Sequence, residues 1–451
     1  MATSSGHFLT HGNFFSSSKP VPQGGWQGNS MSRHDHEISR RRLMETTARS
    51  LLGVSILPAV NSWAAAQAPG GKTRRLIYLF MHGAMSHIDT FDPKPGTKAQ
   101  GPTKTIKTKI PGIQFGEHLP KLAGMANRLA VVRSLNTATG AHGPGQYLMR
   151  TSYKQIATTR HPGLGPWLQK TMGRIHPDLP PSVQVGGGEG PGYLGAKFAP
   201  VPIGDPAKGL QNTRQPAYLL DGQFSQRMKL AGKFDQTFRS RASTSEVLGY
   251  DDLYREAISL LNSKDLAAFD ITKEPKEKQD KYGPSRFGKG CLLASRLIQH
   301  GVRYVEVTHR SWDHHRELAS TNNLPTKCRD LDIGLSTLLT DLNSKGLLDE
   351  TLVVVATEFG RKPNINQNAG RDHHPAAFSC VLAGAGIRGG QVFGATDEEA
   401  FHVADKDVTP QDFNATIATA LGLQVDKQIH SPDGRPFSIA DDGVPIKELL
   451  A

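Results

Sequence analysis

Five strand-length stretches of this chain are apolar nearly throughout, and they constrain its fold more than any other feature. They are Leu76 to Phe80, Arg128 to Arg133, Val302 to Val307, Leu352 to Val355 and Phe378 to Leu382. A strand without polar alternation needs cover on both faces, as in the interior of a parallel sheet. Helical patterns separate several of these runs. Cys291 to His300 reads as a helix stopped by Gly301, a favoured C-terminal residue. From Leu331 to Leu342, five leucines share one helical face. Thr409-Pro410-Gln411-Asp412 combines an N-cap, a first-position proline and an early acid, and so starts another helix. This alternation predicts an α/β fold with a mostly parallel central sheet and helices on both faces. Residues 150–280 carry few strong strand signals and read as a loop-rich cap or rim. The glycine-rich stretch Gly186–Gly192 within them lacks a following Lys-Ser/Thr, so it is a turn-rich loop rather than a phosphate-binding P-loop.

The length of 451 residues and the 37% apolar content suffice for one large core. Residues 1–68 read as a leader and 69–451 as a single domain. In the leader, Ser39-Arg40-Arg41-Arg42-Leu43-Met44 resembles a twin-arginine export signal. An apolar stretch from Leu51 to Val60 follows, then Ala64-Ala65-Ala66-Gln67-Ala68 with an A-x-A cleavage site. These are the three parts of a signal peptide, whose apolar core is too short to span a bilayer. The polar residues 1–38 make a long forerunner, and Met31 is an alternative start. No other stretch is apolar enough for a membrane span. The expected setting is therefore periplasmic or extracellular, with the twin-arginine machinery as a partner. That route carries folded proteins, which suits a domain that takes up its metal first.

The net charge is +12, and +9 remains outside the leader. Such an excess favours an anionic small molecule or glycan, although a basic surface also serves solubility. No basic run interleaved with aromatics suggests a nucleic-acid groove. The three cysteines, Cys291, Cys328 and Cys380, form no CxxC pair. They read as buried apolar residues rather than as a disulfide framework or a thiolate zinc site.

Polar clusters flank the five runs. In open α/β sheets, ligands bind beyond the carboxyl ends of the strands. The clusters supply His82, His87 and Asp89; Thr139 and His142; His309, Arg310, Asp313, His314 and His315; Glu358 and Arg361; and Arg371, His373 and His374. Imidazoles with carboxylates suit zinc, manganese or a similar divalent ion. Asp313, His315 and His373 are the first candidates for ligands, followed by Glu358, Asp89, His82 and His87. Arg361 and Arg371 would clamp a tetrahedral anion by paired N–H bonds, and Arg310 is a further candidate for the same role. Each of these arginines has a structural ion pair as its alternative role. Histidines outside the clusters, such as His118, His161 and His176, read as ordinary residues.

The residues from Leu76 to Leu449 resemble a large bacterial family, domain of unknown function 1501. The resemblance lies in SHIDTFDPKPG, HGPGQYLMRTSY, RFGKGCLLASRLIQHGVRYVEV, WDHH, LLDETLVVVATEFGRKPNIN, GRDHHPAAFS, GGQVFGATD and VTPQDFNATIATALG. It implies the fold of the alkaline phosphatase–sulfatase superfamily. Such hydrolases carry a Thr, Ser or Cys nucleophile at the start of a helix after the second strand. The position that matches here is His142, so no hydroxyl or thiol stands there. Thr139 is the nearest alternative and Ser86 a remoter one. The Asp-His pair of the superfamily is Glu358-Phe359 here, and its Asp-x-x-x-His motif is shortened to Asp313-His314-His315. The resemblance thus implies a metal-dependent hydrolase of phosphate or sulfate esters without a covalent nucleophile. His142 would then act as ligand or general acid/base. The alternative is a non-catalytic anion- or glycan-binding protein on the same scaffold.

Overall fold

The computed structural model describes residues 74–211, 226, 230, 259–261 and 263–451. The leader with its twin-arginine and cleavage motifs, and part of the 150–280 stretch, lie outside the described residues.

Eight strands form the central sheet: β1 (Arg75–Met81), β2 (Leu129–Leu135), β3 (Ser182–Val185), β4 (Val201–Ile203), β5 (Tyr304–His309), β6 (Thr351–Ala356), β7 (Phe378–Gly384) and β8 (Gln391–Phe393). Their order is β8-β2-β7-β6-β1-β5-β3-β4. Only β7 runs against its two neighbours; every other pairing in the sheet is parallel. All five expected apolar runs are strands of this sheet. Two further strands, β3 and β4, come from the stretch read as cap or rim, and they complete one edge.

Side chains alternate across each strand, so a run apolar throughout feeds two cores. Ile77, Leu79, Val305, Val307, Val353 and Val355 point into one. There they meet α3 (Arg286–Gln299) and α4 (Leu324–Ser344) through Cys291, Leu292, Leu335 and Leu339. Tyr78, Phe80, Tyr304, Val354 and Leu382 point into the other. That core is covered by α1 (His142–Thr151), α2 (Leu164–Met172) and α5 (Pro410–Ala420) through Met149, Trp167, Phe413 and Ile417. Helices thus lie on both faces. The α5 start is a full capping box: Thr409 Oγ1 accepts from the Asp412 N–H, and Asp412 accepts from the Thr409 N–H. The three cysteines are buried and unpaired. Among the described residues, no helix is long and apolar enough to cross a membrane.

The direction of β7 matters for the site. β1, β2, β5 and β6 all end at one edge of the sheet, so the segments after them gather there. Because β7 is antiparallel, its beginning lies at that same edge, and the residues just before it, His373 and His374, arrive there too.

Candidate metal centre

Each of three histidines at this edge has its Nδ1 held by an acceptor. His142, the first residue of α1, has Nδ1 2.8 Å from Glu358 Oε1. His315 Nδ1 lies 3.0 Å from Asp372 Oδ1. His373 Nδ1 lies 2.7 Å from the carbonyl oxygen of Gly140. An acceptor at Nδ1 places the proton there and leaves Nε2 as a lone pair in the neutral ring. The three Nε2 atoms then converge on Asp313. Its Oδ2 is 3.3 Å from His142 Nε2, and its Oδ1 is 3.0 Å from His315 Nε2 and 3.2 Å from His373 Nε2. His315 Nε2 and His373 Nε2 are themselves 3.0 Å apart. Two bare imidazole nitrogens this close repel unless a proton or a metal cation lies between them.

These residues fit a divalent ion. His142, Asp313 and His373 each offer a donor atom within 4.8 Å of the others. Zinc bonds of about 2.0–2.1 Å in a tetrahedron separate neighbouring donors by roughly 3.3 Å, close to the spacings above. The buried His142 Nε2 makes no hydrogen bond. Histidines whose far nitrogen is tied to a carboxylate or carbonyl have the arrangement typical of metal ligands. The Asp313 side chain is 42% exposed and that of His315 40%, so the cluster opens to solvent.

The backbone beneath the cluster is crowded. Gly83 has φ +114°, and a Cβ there would meet the backbone nitrogen of Asp313 at 2.8 Å. Its N–H donates to Glu358 Oε1 at 2.8 Å. Gly360 pairs with His374, and Arg361 with His373, in a two-residue antiparallel ribbon. A Cβ on Gly360 would strike the Ala377 carbonyl oxygen at 2.1 Å. Both positions therefore need glycine.

Charge shapes the metal-free state. Asp313 and then Glu358 push the His142 imidazolium up to about 9. Burial alone would raise the Asp313 carboxyl, but the close approach of His142, His373 and Arg361 pulls it far below the ordinary range. Burial likewise opposes ionisation of Glu358, and donors led by His142 outweigh it and keep its pKa low.

Other expected site residues lie elsewhere. Asp89 is fully buried and bonded to Arg371: Nε donates to Oδ2 at 2.7 Å and Nη2 to Oδ1 at 3.2 Å. Ser86 and Thr103 donate to the same carboxylate. Arg371 also donates to the carbonyls of Gln100 and Pro363. Asp89 has no lone pair left for a metal, and Arg371 has no fork left for an anion. Arg361 is 1% exposed. It donates to the carbonyls of Gly83, Ala84 and Arg371 and to Asp313, so it too is committed within the protein. The structural ion-pair role is the one both arginines take. His87 is buried with Nε2 2.9 Å from the Ala400 carbonyl oxygen, outside the cluster. His82 is half-buried at the end of β1, and burial lowers its pKa. Its ring joins none of the contacts around Asp313. Glu358 touches His142 from behind. Arg310 donates to the Gly186 carbonyl. Thr139 Oγ1 accepts from the Ala141 N–H. Sequence reasoning did not single out Asp372 or the Gly140 carbonyl, and only the closeness of Asp372 to His373 in the chain hinted at the former.

A sequence profile described as "Protein of unknown function (DUF1501)" matches residues 73–450. The chain belongs to that family. No curated protein matches the sequence. Among solved structures, this family member is similar to the lipoteichoic acid synthase LtaP from Listeria monocytogenes, at 10% identity over 84% of this chain and 76% of that one, with a TM-score of 0.36. It is similar to the PsFucS1 sulfatase from Pseudoalteromonas sp., at 13% identity over 93% and 76%, with a TM-score of 0.36. It is also similar to a protein in the alkaline phosphatase superfamily from Vibrio parahaemolyticus, at 10% identity over 84% and 71%, with a TM-score of 0.39.

Proposed function

We propose that this chain is an exported, metal-dependent hydrolase of phosphate or sulfate esters, with its centre at His142, Asp313, His315 and His373. Two Nδ1-anchored imidazoles, His142 and His373, at metal-ligand spacing with one partly exposed carboxylate carry this reading, and His315 meets the same carboxylate from beside them. A divalent ion held there, zinc or manganese by its imidazole–carboxylate donor set, would polarise an ester oxygen and bring the pKa of water to about 7. The chain's own residues orient this set. Glu358, Asp372 and the Gly140 carbonyl fix the three rings, and the ribbon holding Arg361 and His373 sets the depth of Asp313. This arrangement suits His142 as a ligand better than as a free acid/base.

No hydroxyl or thiol among the described residues hydrogen-bonds to the side chains of His142, Asp313, His315 or His373. Ser86 is bonded to buried Asp89, and Thr139 to its own turn. Direct attack by water fits this, and a covalent intermediate does not. With Arg371 held by Asp89 and Arg361 by backbone carbonyls and Asp313, the ion itself is the cation left to meet the substrate's anionic oxygen. The basic balance of the chain favours an anionic small molecule or glycan, and the Ser39–Met44 motif supports export by the twin-arginine route.

The same lack of a nucleophile favours a second reading, a non-catalytic anion- or glycan-binding protein. The test is protein purified from its native export route, assayed with zinc and with manganese on aryl phosphate and aryl sulfate esters beside His373→Ala. Metal-dependent turnover lost in the variant is expected. Bound metal without turnover of any such ester would favour the binding protein, and no metal in either sample would overturn both the site and the enzyme.

A further inference from the structure

The number of ions can be read from how the surrounding charges are already used. Arg361 and Glu358 are charged residues in direct contact with the candidate ligands, and both look at first like parts of a larger metal site. Arg361 is pinned by three backbone carbonyls, those of Gly83, Ala84 and Arg371, from two separate loops. From that position its guanidinium donates to Asp313 Oδ1, the oxygen that also faces His315 and His373. A second divalent ion on that side of Asp313 would have to displace a buried cation that cannot swing away. Glu358 is committed through Oε1. Its Oε1 accepts from the Gly83 N–H at 2.8 Å, His142 Nδ1 at 2.8 Å and Gln146 Nε2 at 3.2 Å. Its Oε2 lies 3.3 Å from the Thr357 hydroxyl, whose nearer acceptor is the Met81 carbonyl at 2.8 Å. An ion at Oε1 would replace these donors, and one at Oε2 would lie behind the His142 ring beside N–H groups already aimed at the same carboxylate. Among the described residues, no other group of three His, Cys, Asp or Glu side chains has metal-binding spacing. The charges also close on one ion: Asp313, Glu358 and Asp372 balance Arg361 together with a single divalent cation, whereas two ions would leave an excess of two positive charges in a half-buried site.

We infer that the centre takes one divalent ion per chain, with Arg361 as a built-in second cation and Glu358 as a positioning residue that acts through His142. This rests on the metal reading above and adds the count and the two roles. Glu358 holds the ring of His142 so that Nε2 faces Asp313, and it does not itself coordinate.

The experiment is metal counting on the full-length protein. Chelator-stripped protein is reloaded with excess zinc, and separately with manganese, freed of unbound ion by gel filtration, and analysed for metal per chain. Titration calorimetry then gives the stoichiometry and affinity of the wild type and of Glu358→Gln. One ion per chain is expected, and Glu358→Gln should keep that count while binding about 10–100-fold more weakly, the usual cost of losing a partner behind a ligand. Two ions per chain would overturn this inference and leave the metal centre standing. So would a fall from two to one in the variant, or an unchanged affinity. No tightly bound ion in the wild type would overturn the centre itself. Circular dichroism of the variant separates a folding failure from an effect on binding, and a variant that fails to fold leaves the wild-type count as the decisive result.

Discussion

Two carboxylate–guanidinium pairs sit at one edge of the sheet, and they have opposite characters. Asp89 and Arg371 are sealed: neither is exposed, and both oxygens of Asp89 are taken by arginine, serine and threonine donors. Asp313 and Arg361 share one sealed member only. The guanidinium is buried, while the carboxylate stands half open with three imidazole nitrogens around it. The chemistry of the side chains is the same in both places. What differs is whether any lone pair is left over and whether solvent reaches it. A saturated pair fastens loops; an unsaturated one, with rings aimed at it, keeps donor atoms free for a ligand.

Three changes would break or sharpen that contrast. The largest effect is expected from Asp89→Ala, which strands a fully buried guanidinium. Removing one partner of such a pair costs about 3–5 kcal/mol, measurable by urea unfolding. A loss below about 1 kcal/mol would mean that Arg371 finds other partners and that the pair is not a fastener.

Acid comes next. His87 lies in the sealed region, and burial lowers its pKa to about 4, against 6.5 for the free residue. The folded state keeps it neutral while the unfolded state takes up a proton. The stability it protects is therefore fully present above pH 6.5 and is lost as pH falls toward 4. The loss amounts to about 3 kcal/mol at the limit. His87→Gln should flatten that part of the stability–pH curve, and an unchanged curve would place the acid sensitivity elsewhere.

The smallest stability effect belongs to the open pair. Asp313→Asn in metal-free protein should cost less stability than Asp89→Ala, because the half-exposed amide stays solvated and its oxygen still accepts from Arg361. It should nonetheless abolish tight ion binding. A large stability loss in the metal-free variant would make Asp313 a fastener like Asp89.

The sheet was legible in the sequence because its central strands are apolar on both faces, and few structures apart from a covered sheet use that pattern at strand length. Strand β3, Ser-Val-Gln-Val, and strand β4, with Pro202 at its middle, are short and partly polar. Nothing in their composition separates them from a loop, so the edge of the sheet was not visible. Hydrophobicity also says nothing about direction. The antiparallel course of β7, which delivers His373 to the site, comes from pairing alone. Of the expected ligands, Asp313, His315 and His373 do come together, with His142 beside them. Asp89, Arg361 and Arg371 illustrate the reverse. Their residue types and positions after or before strands match a site, but a sequence does not show which oxygens and N–H groups are already used by neighbours. Glu358 was placed correctly at the edge, and only the structure shows that it faces the back of a ring.

Both the proposed metal centre and its single-ion count depend on a cation held by His142, Asp313 and His373, with His315 beside it. Crystals grown with zinc, measured on both sides of the zinc absorption edge, would locate it directly. One anomalous peak per chain is predicted, within bonding distance of His142 and His373 Nε2 and of Asp313. An empty cluster under saturating zinc, with the three rings still turned inward, would contradict it.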